Sequence, residues 1–230
     1  KAPLNEIENE PLTDNGHSAL TLAQRNTEKL LNMVSQLLDF QKIEREAMTL
    51  QVEETEMSAF IGSAVGNFEP LAREKGISLH TQISPEGEHP IFIDRRKVSL
   101  ILDNLISNSI KYTCQHGNVW VKCSLTDGKL VLEVVDDGIG ISTQAQKKLF
   151  NRFYRAENAA NSKETGSGIG LLLTKKMTLL HKGSIDFSST EGVGTTFRIQ
   201  LPVSQSDYNK TELIQLSLIH ISEPTRLDVI

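Results

Sequence analysis

Near residue 49 the hydrophobic repeat of this chain changes period. That change divides the 230 residues into a helical segment followed by a mixed α and β body. Before it, Leu20, Ala23, Thr27, Leu30, Val34, Leu37 and Gln41 alternate steps of three and four, with Leu31 and Leu38 widening the stripe. This is the seam of a helix bundle or coiled coil. Thr13-Asp14-Asn15-Gly16 is a turn cluster, so residues 1–48 are expected as a helical hairpin. Its first helix is much the shorter, and Val34 to Ile43 then lacks a partner within the chain. Further residues upstream or a second chain would cover it; the alternative is an ordinary core helix of one globular domain.

Beyond residue 49 the patterns are shorter. Leu50 and Val52 read as a strand, Ser58 to Lys75 as an amphipathic helix closed by Gly76, and Ile77 to Ile83 and Ile91-Phe92-Ile93 as strands. Asp94 is a candidate N-cap for a helix running to Tyr112. Val119, Val121, Cys123 and Leu125 alternate, Asp127-Gly128 turns the chain, and Leu130, Leu132 and Val134 alternate again. Helices are expected over 143–153 and 169–181, then a closing hairpin through Phe187 and Phe197. The body, residues 49–203, is an α/β sandwich with helices on one face of an antiparallel-rich sheet. Residues 204–230 read as a tail, a linker or an artificially added end, outside the fold.

Charge and composition exclude some partners. The net charge is −5 and Lys and Arg form no long block, so nucleic-acid binding is not expected. No apolar run approaches the ~18–20 residues that cross a bilayer, so no membrane contact is expected of these residues. The two cysteines, Cys114 and Cys123, lack zinc-type spacing and suit a reducing compartment. Cys123, in an apolar alternation, is expected in the core.

Three runs carry chemistry. At ~100° per residue, Asn104, Asn108 and Lys111 fall within a ~60° arc of their helix, beside the apolar arc of Val98, Ile101, Leu102 and Leu105. Carboxamide oxygens suit Mg²⁺ and the ammonium suits phosphate, although a solvated helix face has the same pattern. Asp136-Asp137-Gly138-Ile139-Gly140 ends an apolar strand. An Asp there can accept from an exocyclic amine, with glycines letting the backbone turn beside a flat ring; a plain Asp-Gly turn is the alternative. Gly166-Ser167-Gly168-Ile169-Gly170 opens a helix whose free amides can hold phosphates. It lacks the Gly-Lys-Ser/Thr of a P-loop and the setting of a dinucleotide fold.

Together these runs resemble the N, G1 and G2 boxes of sensor histidine kinases, within the ATPase superfamily shared with gyrase-type, MutL-type and heat-shock chaperone proteins. Several segments look like hybrid two-component sensors of Bacteroidetes type. Leu149-Phe150-Asn151-Arg152-Phe153-Tyr154-Arg155 resembles the F box, Gly192-Val193-Gly194-Thr195-Thr196-Phe197 the last glycine box, and Leu37 to Glu44 the end of the dimerisation hairpin. The resemblance implies an α+β protein: a hairpin forming a four-helix bundle when dimeric, then a Bergerat-type sandwich binding ATP and Mg²⁺. It implies Asn108 on Mg²⁺ with Asn104 beside it, Lys111 and Arg155 on phosphates, and Tyr112 against the nucleotide. Asp136 would read the adenine amine between Gly138 and Gly140, and Thr195 would support that end. Gly166, Gly168 and Gly170 would anchor a lid over 156–165, a segment that reads equally as a surface loop. The implied reaction is γ-phosphoryl transfer to a histidine and relay to a receiver aspartate. The implied setting is a homodimer in the cytoplasmic part of a membrane-anchored sensor. A superfamily ATPase, a protein-serine kinase or a nucleotide-sensing dimerisation module are the alternatives.

The start of the chain departs from the pattern. Lys1-Ala2-Pro3-Leu4 looks like the second half of the family's His-Glu-x-Lys/Arg-x-Pro-Leu box, which would place the acceptor His three residues before Lys1. His17 lacks that setting, as do His80, His89, His116, His181 and His220, which are expected at the surface. Ala2 stands where many relatives carry Thr or Asn, an argument against strong phosphatase activity.

Overall fold

A computed structural model describes residues 7, 12–44, 48–85, 87–155 and 167–214. Helix α1 (Asp14–Glu44) carries the long seam. The short first helix expected before it lies outside the described residues, apart from Ile7. The expected turn cluster instead starts α1, where the Thr13 hydroxyl accepts from the Gly16 amide at 3.2 Å, as an N-cap does. Leu20 is buried and α1 touches a helix of the body, but Leu30 and Leu38 are 63% and 51% exposed.

The body is built from β1 (Glu53–Glu56), α2 (Met57–Gly66), α3 (Glu69–Glu74), β2 (Ser78–Ser84), β3 (Pro90–Ile93), α4 (Arg95–Tyr112), β4 (Asn118–Thr126), β5 (Lys129–Asp136), α5 (Thr143–Gln146), α6 (Gly170–Leu180), β6 (Ser184–Thr190) and β7 (Gly194–Pro202). Five strands form one sheet in the order β2-β4-β5-β7-β6, with β2 and β4 parallel and the rest antiparallel. A separate two-stranded ladder pairs β1 with β3.

The alternating strands set the register. Val121, Val134 and Phe197 form one rung across β4, β5 and β7, and Cys123, Leu132 and Ile199 form the next. All six side chains are buried. Asp127 and Gly128 both take positive φ, as a two-residue hairpin turn requires. Over this face lies α4, which presents Val98, Ile101, Leu102, Leu105, Ile106 and Ile110 to the core. Cys123 packs there as expected, and burial pushes its thiol up to about 12.

Several elements differ from the sequence expectations. The helix expected over 58–75 is two helices, because Pro70 in the first turn of α3 lacks the N–H needed to continue α2. The strand expected at Leu50 and Val52 starts later, at Glu53, and Val52 instead bridges to Leu213. The helix expected to reach Phe153 stops at Gln146. Lys148, Leu149 and Asn151 then donate to carbonyls three residues back, a tighter winding that brings Leu149 and Phe150 against the core.

Residues 204–214, expected apart from the fold, pack on it. Tyr208 is buried with Leu50 and Val52 in a second apolar cluster bordered by Phe92, Leu180 and Leu213. The Val52 amide donates to the Glu212 carbonyl at 2.7 Å and the Ile214 amide donates back to Val52 at 2.8 Å. His181, expected at the surface, is fully buried at the end of α6.

Candidate nucleotide site

The site is assembled where α4 ends, β5 ends and α6 begins. Asp94 fixes the start of α4 by accepting from the Lys97 amide at 3.0 Å. From there the helical repeat carries Asn104, Asn108, Lys111 and Tyr112 along one edge, all half-buried. The Lys111 ammonium lies 4.8 Å from the centroid of the Tyr112 ring.

Asp136 ends β5 as a buried carboxylate. Its Oδ1 accepts from the backbone amides of Gly138 (3.1 Å) and Thr195 (3.2 Å), and its Oδ2 accepts from the Ser109 hydroxyl at 3.0 Å. Burial raises its pKa from the ordinary 3.8. The three hydrogen bonds work against that shift, and the neighbouring Asp137 charge adds to it. Asp137 has a different job. It is exposed and accepts from the Asn118 amide (2.7 Å) and carboxamide (2.9 Å), pinning the start of β4. The sequence pair Asp136-Asp137 is thus one buried acceptor and one surface staple.

The glycines let backbones meet. A Cβ on Gly138 would lie 2.4 Å from the Tyr112 carbonyl oxygen, to which Ile139 also donates. Gly140 (φ 61°) and Gly194 (φ 144°) combine left-handed backbone with contact. A Cβ would fall 2.1 Å from the Thr190 oxygen in the first case and 2.0 Å from the Asp136 oxygen in the second. Gly140 therefore serves the packing of the turn on β6. A Cβ on Gly170 would come within 2.8 Å of Asn104 Oδ1, so this glycine seats the start of α6 against α4. Gly168 (φ 68°) abuts the backbone of Phe153.

The structure therefore joins Tyr112, Asp136, Gly138, Gly140 and Thr195 at one end, and Asn104 with Gly170 about two helical turns back along α4. Asn108 and Lys111 share the helix edge between these groups. Arg155 is half-buried just after the Phe150–Tyr154 turn. Gly166 and the segment 156–165 lie outside the described residues. The first turn of α6 has no side-chain cap among the described residues, and just before it the Ser167 hydroxyl accepts from the Ile169 amide at 3.3 Å. No group of three or more His, Cys, Asp or Glu residues that could hold a metal occurs among the described residues. A single carboxamide such as Asn108 fits Mg²⁺ that keeps water and phosphate oxygens as its other ligands.

Sequence reasoning missed three residues. Ser109 stands four residues after Leu105 on the apolar arc, and a hydroxyl there was a readable signal of a buried partner. Ser189 accepts from the Ile141 amide (2.9 Å) and donates to the Gly194 carbonyl (2.9 Å), with Thr195 Oγ1 at 3.0 Å. Gln146 donates to the Ile141 and Ser189 carbonyls at 2.8 and 3.0 Å. Nothing in the sequence marks either, because the loops that bring them together are far apart in the chain.

Residues 93–205 match the family of histidine kinase-, DNA gyrase B- and HSP90-like ATPases. Histidine kinase P4 of Formosa agariphila is 30% identical over 201 residues, 86% of this chain and 15% of that protein. Sensor histidine kinase WalK of Bacillus subtilis is 31% identical, over 81% of this chain and 30% of its own length. Among solved structures, full-length ShkA in complex with AMPPNP has a TM-score of 0.71 at 25% identity, covering 88% of this chain and 43% of that one. Histidine kinase AdeS of Acinetobacter baumannii shares the fold, with a TM-score of 0.66 at 21% identity over 86% of this chain and 89% of its own. Residues 93–205 belong to this ATPase family and are the ATP-binding part, and over more than four fifths of its length the chain is similar to segments of sensor histidine kinases. It spans less than a third of the length of the two curated relatives.

Proposed function

We propose that this chain binds Mg-ATP and donates the γ-phosphoryl group to a histidine, from which it passes to a receiver aspartate of a response regulator. The observation that carries this is Asp136, a buried carboxylate held by Ser109, Gly138 and Thr195 at the end of β5. Asp136 accepts from the adenine amine. The amides of Gly168 and Gly170, with Lys111 and Arg155, take the phosphates. Asn108, beside Asn104, holds Mg²⁺, which when bound neutralises charge developing on the phosphates. A histidine nitrogen forms the new N–P bond as the bond to the ADP oxygen breaks, so these residues contribute positioning and charge rather than covalent chemistry.

The complex of the related ShkA with AMPPNP supports the same nucleotide class here. Leu30, Leu31, Val34, Leu37 and Leu38 are exposed along α1, and a second copy is the occupant that fits a seam of this period. The chain then divides into a dimerisation helix region, the ATP-binding body and the segment after it, all three proposed to lie inside the cell. No described helix is long and apolar enough to cross a membrane.

Two measurements test the reading. Calorimetric titration with Mg-ATP should show binding to the wild type, and absence of binding refutes the nucleotide site. The chain preceded by residues that complete a His-Glu-x-Lys-Ala-Pro-Leu box should take radiolabel from ATP as an acid-labile, base-stable phosphate. Acid-stable label would instead favour a protein-serine kinase.

A further inference from the structure

The hydrogen-bond count around Asp136 singles out Ser109. An ionised carboxylate has about four acceptor positions, two on each oxygen. Both positions on Oδ1 are used by the Gly138 and Thr195 amides, and one on Oδ2 by the Ser109 hydroxyl. Among the described residues no further donor reaches the carboxylate, which leaves one acceptor direction for a single external N–H. Ser109 is itself locked: it is buried on α4, and its carbonyl accepts from the Thr113 amide at 3.0 Å. Its hydroxyl therefore reports to Asp136 from a fixed place on the helix that also carries Asn104 and Asn108.

We infer that Ser109 is a positioning and specificity-determining residue, which turns the free lone pair of Asp136 toward a purine 6-amino group and thereby selects adenine over a 6-oxo base. The inference rests on the adenine role proposed for Asp136. Without the hydroxyl, Oδ2 keeps two acceptor directions and the carboxylate loses the one donor that comes from a side chain. A 6-oxo purine presents an acceptor to an acceptor whether or not Ser109 is present, so its weak binding does not depend on this hydroxyl. The discrimination is of the kind that an oriented hydrogen-bonding group gives and pocket shape does not.

The test compares ATP with inosine triphosphate, both with Mg²⁺, by calorimetry on wild type, Ser109→Ala and Ser109→Cys. The cysteine variant keeps a buried group of similar size with a much weaker donor, so packing is separated from hydrogen bonding. Wild type should prefer ATP by about tenfold or more, the scale of one hydrogen bond to a charged group. Both variants should lose most of that preference through weaker ATP binding alone, with inosine triphosphate affinity within about twofold of wild type. Equal weakening of both nucleotides would make Ser109 a packing residue and overturn the inference. An unchanged ATP preference in folded variants would overturn it too. A wild type that binds both nucleotides equally would instead remove the adenine role of Asp136, and the inference with it.

Discussion

The two ends of α4 bury polar groups to opposite purposes. At its C-terminal end, Asp136 accepts from three donors among the described residues, and the proposed adenine contact would use its remaining acceptor direction. At its N-terminal end, Asp94 is fully employed. It accepts from the Lys97 amide and ammonium and from the Gln51 amide, closing the segment that joins α1 to the body. Beside it, His181, Tyr208, Leu50 and Val52 form a dry core under the 204–214 segment. At the first end glycines let backbones pack against one another; at the second, apolar side chains pack beneath a segment held by backbone bonds between Val52 and residues 212–214. Changes at the first should therefore alter ligand affinity with little loss of fold, and changes at the second should do the reverse.

The largest expected effect breaks the dry end. Tyr208→Ala removes a buried ring and the hydroxyl that donates to the Pro202 carbonyl at 2.7 Å. It should cost about 3–5 kcal/mol of unfolding free energy, read from urea denaturation. Mg-ATP affinity of the folded fraction should stay within about twofold of wild type. A large affinity loss would show that the two ends are coupled rather than separate.

Asp136→Asn sharpens the contrast from the other side. Because burial raises the Asp136 pKa, its stabilising contribution is fully present below 3.8 and is lost as pH rises through the raised folded value. At neutral pH the ionised group is therefore a burden on the empty fold, and asparagine relieves it. The Asn oxygen still accepts from Gly138 and Thr195, so the variant should melt no lower than wild type. ATP affinity should nonetheless fall at least tenfold, about 1.4 kcal/mol or more, because an amide N–H now faces the adenine amine.

The same contrast explains what the sequence revealed. The candidate site was legible because its groups lie at helical spacing on α4, at the end of a strand with clear alternation, and in glycine runs whose conformations side chains rarely adopt. Asp136, Gly138 and Thr195 indeed meet there. The dry end was not legible. Tyr208 sits in a polar stretch and Leu213 opens a weakly apolar one, neither with a partner pattern, and their partners Leu50 and Val52 are more than 150 residues away in the chain. No local pattern records a contact of that separation. His181 was misjudged for a related reason: its environment is set by what lies over the end of α6, not by its neighbours in sequence.

His181 supplies a pH prediction at that end. Its Nδ1 lies 2.8 Å from the Met177 carbonyl, while Nε2 is buried without a hydrogen-bond partner among the described residues. Burial lowers its pKa below the ordinary 6.5. The Met177 bond opposes that shift, as do the charges of Asp94 and Glu212, and Lys97 adds to it. The sign is that of a base kept neutral: its contribution is fully present above 6.5 and is lost as pH falls through the depressed folded value. Wild-type stability should drop as pH falls below about 6.5, by no more than ~1.4 kcal/mol per pH unit from this group. His181→Gln should flatten that part of the curve; an unchanged slope would assign the acid loss to carboxylates elsewhere.

The smallest effect is expected at the rim of the same end. Lys182 donates to Glu212 Oε2 at 3.0 Å and to the Asp207 carbonyl at 2.7 Å, with its side chain 44% exposed. Exposed pairs of this kind contribute about 0.2–1 kcal/mol and weaken with salt. Glu212 depends on it only in part: the Asn209 amide, 2.7 Å away, is the largest cause of its lowered pKa, and the Lys182 bond and charge add to that lowering. Lys182→Ala should therefore destabilise the fold by about 0.5 kcal/mol, less at high salt, with Tyr208 and Val52 still protected in hydrogen exchange. Loss of that protection would mean that the segment over the dry core is held by its rim charge, and that burial of Tyr208 is the consequence rather than the cause.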